Sequence, residues 1–280
     1  MDARTNNPRY LEKIAGLRLM DDDFFSEALD EKIAPVEYIL NTILERDDIR
    51  VQQTEAQVEY KSATKRSIKL DIRAVDAEGR VMDIEVQRAE KGSSVRRARF
   101  HSSVIDRTLL EKGEDFEKLV DTYVIFITEN DRFGAGLPLY HVERKITELK
   151  NAEFRDGAHI IYVNGEFRDL EHPVGRLMHD MNCTDANEML NPLLAEEVRY
   201  LKETKGGRTQ MCRAFEEVAY EAAKKAEDKT KRETALNLIA LNQMSIEMIA
   251  KCVGLPVEEV RALAEKKPAS GPPPAKSSTR

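Results

Sequence analysis

Two carboxylates are spaced so that they could hold a metal ion, and a carboxamide lies close behind them in the chain. Thirteen residues separate Asp71 from Glu85, and Gln87 follows two positions later. The segments that carry them alternate in character. Ile68, Leu70 and Ile72 oppose Lys69, Asp71 and Arg73; then Met82, Ile84 and Val86 oppose Asp83, Glu85 and Gln87. A period of two is the mark of a strand. Asp76-Ala77-Glu78-Gly79 between them is a turn, so the two strands form a hairpin. Both apolar sets must share one face, because a one-residue slip would place each Ile and Leu beside the acids. A three-residue loop with Gly79 left-handed meets that condition. It sets Asp71 opposite Glu85, Arg73 opposite Asp83 and Lys69 opposite Gln87. Opposed β-carbons lie about 4.5–5.5 Å apart, so the two acids repel unless a cation lies between them. Carboxylates with water and phosphate suit Mg²⁺. The plain alternative is the solvated polar face of a half-exposed sheet.

The flanking segments supply the elements that would position this hairpin. Met20 to Glu45 has helical spacing, with Pro35 expected to kink or split it. Strands are expected at about 50–60, 66–75 and 81–88. A helix then starts at Ser93 or Ser94 and stops at Gly113. Thr122 to Thr128 reads as a buried strand, and Pro138–Ile146 and His159–Phe167 as further strands. The order implies an α/β layer with a mixed sheet flanked by helices. From Asp169 the chain turns helical, with Glu188–Lys205 and Arg208–Asp228 broken at Gly206-Gly207. The domain reading is a leader at 1–19, the hairpin-bearing domain at 20–182, a helical extension at 183–228, a small helical unit at 229–266 and a disordered tail at 267–280.

Composition narrows the class. The 280 residues are 41% apolar and 34% charged, as in a soluble globular protein. No apolar run approaches the ~20 residues of a membrane helix, and the polar Met1–Asn7 lacks a secretory core, so no membrane role and a cytoplasmic location are expected. Cys183, Cys212 and Cys252 lie far apart with no Cys-x-x-Cys, so neither a disulfide framework nor a zinc site is suggested. The net charge of −7 argues against coating nucleic acid by bulk electrostatics but leaves room for a local basic patch.

The Asp71…Glu85-Val86-Gln87 pattern resembles the PD-(D/E)xK nuclease signature. The ordered blocks Ser67–Arg73, Asp83–Arg88, Arg97–Asp106, Tyr123–Thr128 and His159–Asn164 resemble the PD-(D/E)xK family transposases, also called recombination-promoting nucleases, over roughly residues 20–220. The resemblance implies a restriction-endonuclease-like core of mixed strands flanked by helices, with an all-helical C-terminal extension. It implies hydrolysis of DNA phosphodiester bonds with Mg²⁺ (or Mn²⁺). It makes Asp71 and Glu85 the metal carboxylates, and Asp22 with Phe25 an early acid–aromatic pair. Gln87 stands where the family name puts lysine. An amide donates and accepts hydrogen bonds but carries no charge, so weak activity is expected. Lys69 opposite Gln87 could supply the charge, as could Arg97 or Arg99.

Arg96, Arg97 and Arg99 fall in the first turns of their helix, where cations oppose the helix dipole. Contact with DNA phosphate would account for them; pairing with nearby acids is the alternative. His101 is either a general base or a packed, hydrogen-bonded ring. Met244–Leu263 has a helix-turn-helix shape around Gly254-Leu255-Pro256, but Glu258 and Glu259 make its second helix acidic. That suits packing or a homo-oligomer better than groove reading. Three functions stand: a metal-dependent deoxyribonuclease, a nuclease fold that grips DNA or protein without cutting, and a structural protein.

Overall fold

The hairpin forms in the expected register and enters a wider sheet. The computed structural model describes residues 7–62 and 66–265 of the chain. Its strands are β1 (Val51–Tyr60), β2 (Ile68–Asp76), β3 (Val81–Gln87), β4 (Thr122–Thr128), β5 (Leu139–Val142), β6 (Lys145–Ile146), β7 (Ala152–Glu153) and β8 (Ala158–Asn164). Six of them make one mixed sheet in the order β1-β2-β3-β4-β8-β5, and β6 pairs with β7 alone. The pairs β3–β4 and β4–β8 are parallel and the others antiparallel. The turn from β2 to β3 has Gly79 at φ 79°, with its N–H donating to the Asp76 carbonyl at 3.0 Å. Arg73 pairs with Asp83 and Ile72 with Ile84, as the apolar pattern requires.

The helices are α1 (Pro8–Ala15), α2 (Asp22–Leu29), α3 (Ile33–Ile43), α4 (Val95–Leu109), α5 (Pro173–Asn182), α6 (Pro192–Glu203), α7 (Lys205–Leu241), α8 (Ile246–Val253) and α9 (Val257–Glu265). Helix α4 packs on β4 and β8, while α2 and α3 pack against the β1–β3 end. The chain divides into two compact units, Met1–Ala214 and Phe215–Arg280.

Several expected boundaries move for identifiable reasons. The break between α2 and α3 falls at Asp30–Lys32, with Glu31 at φ 57°, and not at Pro35. Pro35 lies in the first turn of α3, where a missing N–H costs no helical bond. Part of the expected leader is helix α1; its Ile14 is 1% exposed and Leu19 is buried, so these residues belong to the first unit. Helix α4 begins at its Ser94 cap but ends at Leu109, four residues before Gly113. The strand expected over 138–146 divides into β5 and β6, and that over 159–167 ends at Asn164. The tail, 267–280, lies outside the described residues, as do residues 1–6.

Alternation breaks at one place in β2. Ile72 and Ala74 pair with Ile84 and Met82. Ile68 and Leu70 instead join Val81, Ala98, Ile105, Val124 and Phe126 in the core under α4. Val81 and Ile84 point to opposite faces, so β2 changes face between Leu70 and Ile72, at Asp71. On β1 the residue between the partners of Leu70 and Ile72 is Gln57, at φ 57°. The ladder between β2 and β3 ends at the Ile72–Ile84 pair, and beyond it the strands part.

In the second unit α8 and α9 pack around Ala235, Ile249, Ala250, Val253 and Val260. Ser245 Oγ accepts from the Met248 N–H at 3.2 Å, and Gly254 ends α8 at φ 68°. Pro256 stands just before α9.

The expected break between the two helices falls at Thr204, and Gly206 and Gly207 form the first turn of α7. A β-carbon at Gly207 would run into the Tyr200 carbonyl oxygen and Leu201 Cα, both backbone atoms of α6. One at Gly206 would meet only the Tyr200 hydroxyl, at 3.1 Å. Gly207→Ala is therefore expected to destabilise the protein by about 1–3 kcal/mol in urea titration, as overpacked sites do. Gly206→Ala should be neutral or stabilising, because alanine is the better helix former.

Candidate active site

Where β2 parts from β3, two carboxylates fill the wedge. The Asp71 N–H has no ladder partner there and donates to Glu85 Oε1 at 3.1 Å. The Val86 N–H donates to Asp71 Oδ2 at 2.9 Å. Asp71 and Glu85 thus clasp each other's strands through backbone amides and are not a regular cross-strand pair. The pleat change at Asp71 turns its side chain toward β3; the end of the ladder frees the amides that the carboxylates bind.

The face that carries Glu85 is not solvated. Helix α4 covers it, and the Asp83 and Glu85 side chains are both 0% exposed. Asp83 makes no ion pair with Arg73 across the ladder; its Oδ2 lies 3.0 Å from His101 Nδ1. His101 Nε2 lies 3.2 Å from Arg97 Nε. Arg97 then donates through Nη2 to Glu85 Oε2 at 2.7 Å and through Nη1 to Gln87 Oε1 at 3.2 Å. Nη1 also donates to the Gly92 carbonyl at 3.1 Å. A β-carbon at Gly92 would collide with Gln87 Oε1, so glycine there leaves room for the carboxamide. Phe126 supports the group, its ring 5.7 Å from the guanidinium and 5.8 Å from the imidazole.

Asp71, Asp83 and Glu85 therefore face one guanidinium. Burial, and then the charge of Glu85, push Asp71 well above the usual carboxylate range, although the residue as a whole is only half-buried. Burial, and then Asp71, raise Asp83 in the same direction. Burial and the neighbouring Asp83 push Glu85 up to about 8, against the pull of His101 and Arg97. Burial, with Arg97 beside it, lowers His101 to about 4 even though Glu85 opposes this. The His101–Asp83 contact is thus a hydrogen bond of a neutral ring. Arg97 Nε can only donate, so His101 Nε2 accepts and its Nδ1 carries the proton.

The remaining sequence candidates separate. Lys69 is exposed and lies across from Glu59 in the β1–β2 ladder, and the β2–β3 ladder ends before reaching Gln87. The expected Lys69–Gln87 contact does not form, and Arg97 occupies that place. Asp22 is exposed at the start of α2, and its charge contributes to the raised Asp71. Its neighbour Asp21 is taken by Arg88 at 2.6 Å and by the Arg18 N–H at 2.8 Å. Arg88 and Arg18 also bind Glu129, at 3.2 and 2.7 Å. Arg96 and Arg99 are exposed, without an acidic partner among the described residues. Arg132, whose Nε is buried without a hydrogen-bond partner among the described residues, lines a small cleft with Gln87, Arg88 and Thr128 at the C-terminal ends of β3 and β4. In α9, Arg261 lies 3.6 Å from Glu247 and Glu259 binds Arg232, so this helix presents no free basic row.

From the sequence, Asp83 reads only as a partner for Arg73, and His101 as either a general base or a packed ring. A stronger signal was present: two acids, Asp83 and Glu85, on one face of β3, with Arg97 and His101 one helical turn apart.

Within this pocket, two donor sets could hold a cation. Asp83, Glu85 and His101 offer ligand atoms within 4.8 Å of one another. That set is enclosed, and both nitrogens of His101 are engaged, so no position is left open for substrate. Asp71 with Glu85 is a pair of hard oxygen donors that reaches the surface through the half-buried Asp71, and the exposed Asp22 adds its charge nearby. Such donors suit Mg²⁺ or Mn²⁺. Asp83 Oδ1 is buried without a hydrogen-bond partner among the described residues, a further sign that the pocket holds more negative charge than its single arginine balances.

The chain matches the family model of the PD-(D/E)XK nuclease family transposases over residues 23–237. No curated relative and no solved structure matches it. The matched span runs from the first turn of α2 into α7 and takes in the whole sheet and the carboxylate wedge; Asp22 lies just outside it. On that coverage, the chain belongs to the PD-(D/E)XK nuclease family transposases.

Proposed function

We propose that this protein is a DNA endonuclease that hydrolyses phosphodiester bonds with Mg²⁺ or Mn²⁺, and that Asp71 and Glu85 hold the cation. One observation carries the reading: Asp71 and Glu85 meet where β2 and β3 part, in a pocket whose carboxyls outnumber its cations. Asp71 and Glu85 would hold a divalent cation there, which would supply charge neutralisation at a phosphate oxygen and activation of water. The chain's own groups do the rest. The Asp71 and Val86 N–H groups fix the carboxylates. Gln87 offers an amide that can orient water. Arg96 and Arg99 extend from α4 to bind DNA phosphate and set its path. We place the protein in the cytoplasm and its activity in recombination or element mobility, as the family name suggests.

A second reading is a nuclease fold that binds DNA and cuts it weakly or not at all. It draws on Gln87, which lacks the charge of a lysine, and on the ion pair of Arg97 with Glu85.

Three outcomes are expected. Supercoiled plasmid should be nicked or linearised with Mg²⁺ or Mn²⁺ and left intact with EDTA. Asp71→Ala and Glu85→Gln should each lower the rate by more than about 100-fold, since even outer partners of a metal site are worth 10–100-fold. Cleavage that survives both substitutions would sink the site, and salt-sensitive binding without cleavage would favour the second reading.

Without metal, the protein should lose stability as pH rises. Glu85 titrates near 8 when folded and near 4.5 ordinarily, so between these values the folded chain holds more protons than the unfolded one. The contribution is complete below about pH 4.5 and is lost as pH passes 8. Mg²⁺ should therefore raise the melting temperature more at pH 8 than at pH 6. Its binding near neutral pH should also release protons, seen as a heat that depends on the buffer.

Arg96→Ala and Arg99→Ala should weaken DNA binding in Ca²⁺ and each reduce the salt slope by about 1, read by fluorescence anisotropy. An unchanged slope would remove them from the DNA path.

A further inference from the structure

We propose that Arg97 supplies the positive charge that Gln87 lacks, and that His101 and Asp83 are positioning residues which hold its guanidinium at the reacting phosphate. The proposal rests on the endonuclease reading and adds residues to its site.

The Arg97 guanidinium has five N–H groups. Four are used: Nε on His101, two on Nη1 for Gln87 and Gly92, and one on Nη2 for Glu85. The fifth, on Nη2, has no partner among the described residues, and the side chain remains 32% exposed. Arg97 thus touches the carboxylate that would hold the cation and the carboxamide in the lysine position, with one donor left for a phosphate oxygen. Charge-assisted bonds from arginine to phosphate are strong and directional.

Helix stability does not explain Arg97, because a cation in the first turn of α4 opposes the dipole. Core stability does not explain what holds it. His101 is 2% exposed and Asp83 is 0% exposed. Two apolar side chains would fill that volume without desolvating polar groups. What the polar pair provides is direction. Asp83 Oδ2 accepts from His101 Nδ1, which leaves Nε2 bare to accept from Arg97 Nε. With Nε so held, the plane of the guanidinium is set, and Nη1 and Nη2 reach Gln87 and Glu85 together. Lysine, a point charge on a flexible stem, would not be oriented in this way.

The test uses the full-length protein and three kinds of readout. Arg97→Ala should lower kcat by about 10²–10³-fold, the usual cost of removing a transition-state donor, while KM for DNA changes much less. Mn²⁺ affinity of the same variant, by calorimetry, should stay the same or rise, because a cation beside Glu85 is gone. Arg97→Lys should recover part of kcat. His101→Phe fills the volume but cannot bond, and should lower kcat by about 10–100-fold; His101→Gln keeps one donor and one acceptor and should recover part of that loss. Independently of activity, ¹⁵N spectra of the His101 ring should show a protonated Nδ1 and a bare Nε2. If Arg97→Ala cleaves at the parental rate while Glu85→Gln is inactive, the proposal is wrong and the endonuclease reading stands. If the parent protein never cleaves with Mg²⁺ or Mn²⁺, both fall. A fall in Mn²⁺ affinity matching the fall in rate, or the opposite ring tautomer, would also overturn the proposal.

Discussion

Everything around the wedge follows from the cost of placing carboxyls beneath a helix. Asp83 and Glu85 are removed from water, and Asp71 is crowded against Glu85. An isolated ionised carboxylate in such a place is unfavourable by several kcal/mol or more, so the group must find donors, find a cation or keep its proton. All three responses are visible. Backbone amides of Asp71 and Val86 bind two of the carboxylates, Arg97 binds Glu85, and the affinities for protons rise. A site balanced in this way gains from a second positive charge.

The same constraint explains why the sheet is built as it is. A regular ladder would consume the N–H groups that the carboxylates use. The change of face at Asp71 ends the β2–β3 pairing and makes those amides available. Gln57 on β1 adopts a left-handed conformation beside that change, so the irregularity involves both strands. Such strain is retained where surrounding structure holds it, and functional sites are where it collects. The parallel neighbours β3 and β4 bring their C-terminal ends together next to the wedge, in the position where α/β sheets commonly bind ligands.

Helix α4 has two duties. Its apolar residues Ala98 and Ile105 close the core over Val124 and Phe126. Its polar residues Arg97 and His101, one turn apart, face the acids of β3. The exposed Arg96 and Arg99 lie on the other side of the same turns. One segment thus covers the acids, offsets part of their charge and carries a basic edge to the surface.

The strands and their register were legible in the sequence because side-chain alternation has a period that no helix shares. The apolar pattern of Ile72, Ala74, Met82 and Ile84, with Gly79 in the turn, leaves one pairing that buries all four. The Ser94 cap and the acidic surface of α9 were readable for similar local reasons. Alternation tells which side a residue points to and not what will cover that side. Only tertiary structure decided that α4 lies over Asp83 and Glu85, which turns an apparently solvated face into a pocket. It also decided that β2 changes face at Asp71, since the twist is local to the backbone and leaves the run of residue types unchanged. That single step separated Lys69 from Gln87 and gave its place to Arg97. The network from Asp83 through His101 to Arg97 joins a strand to the helix laid over it, and contacts of that kind are set by packing.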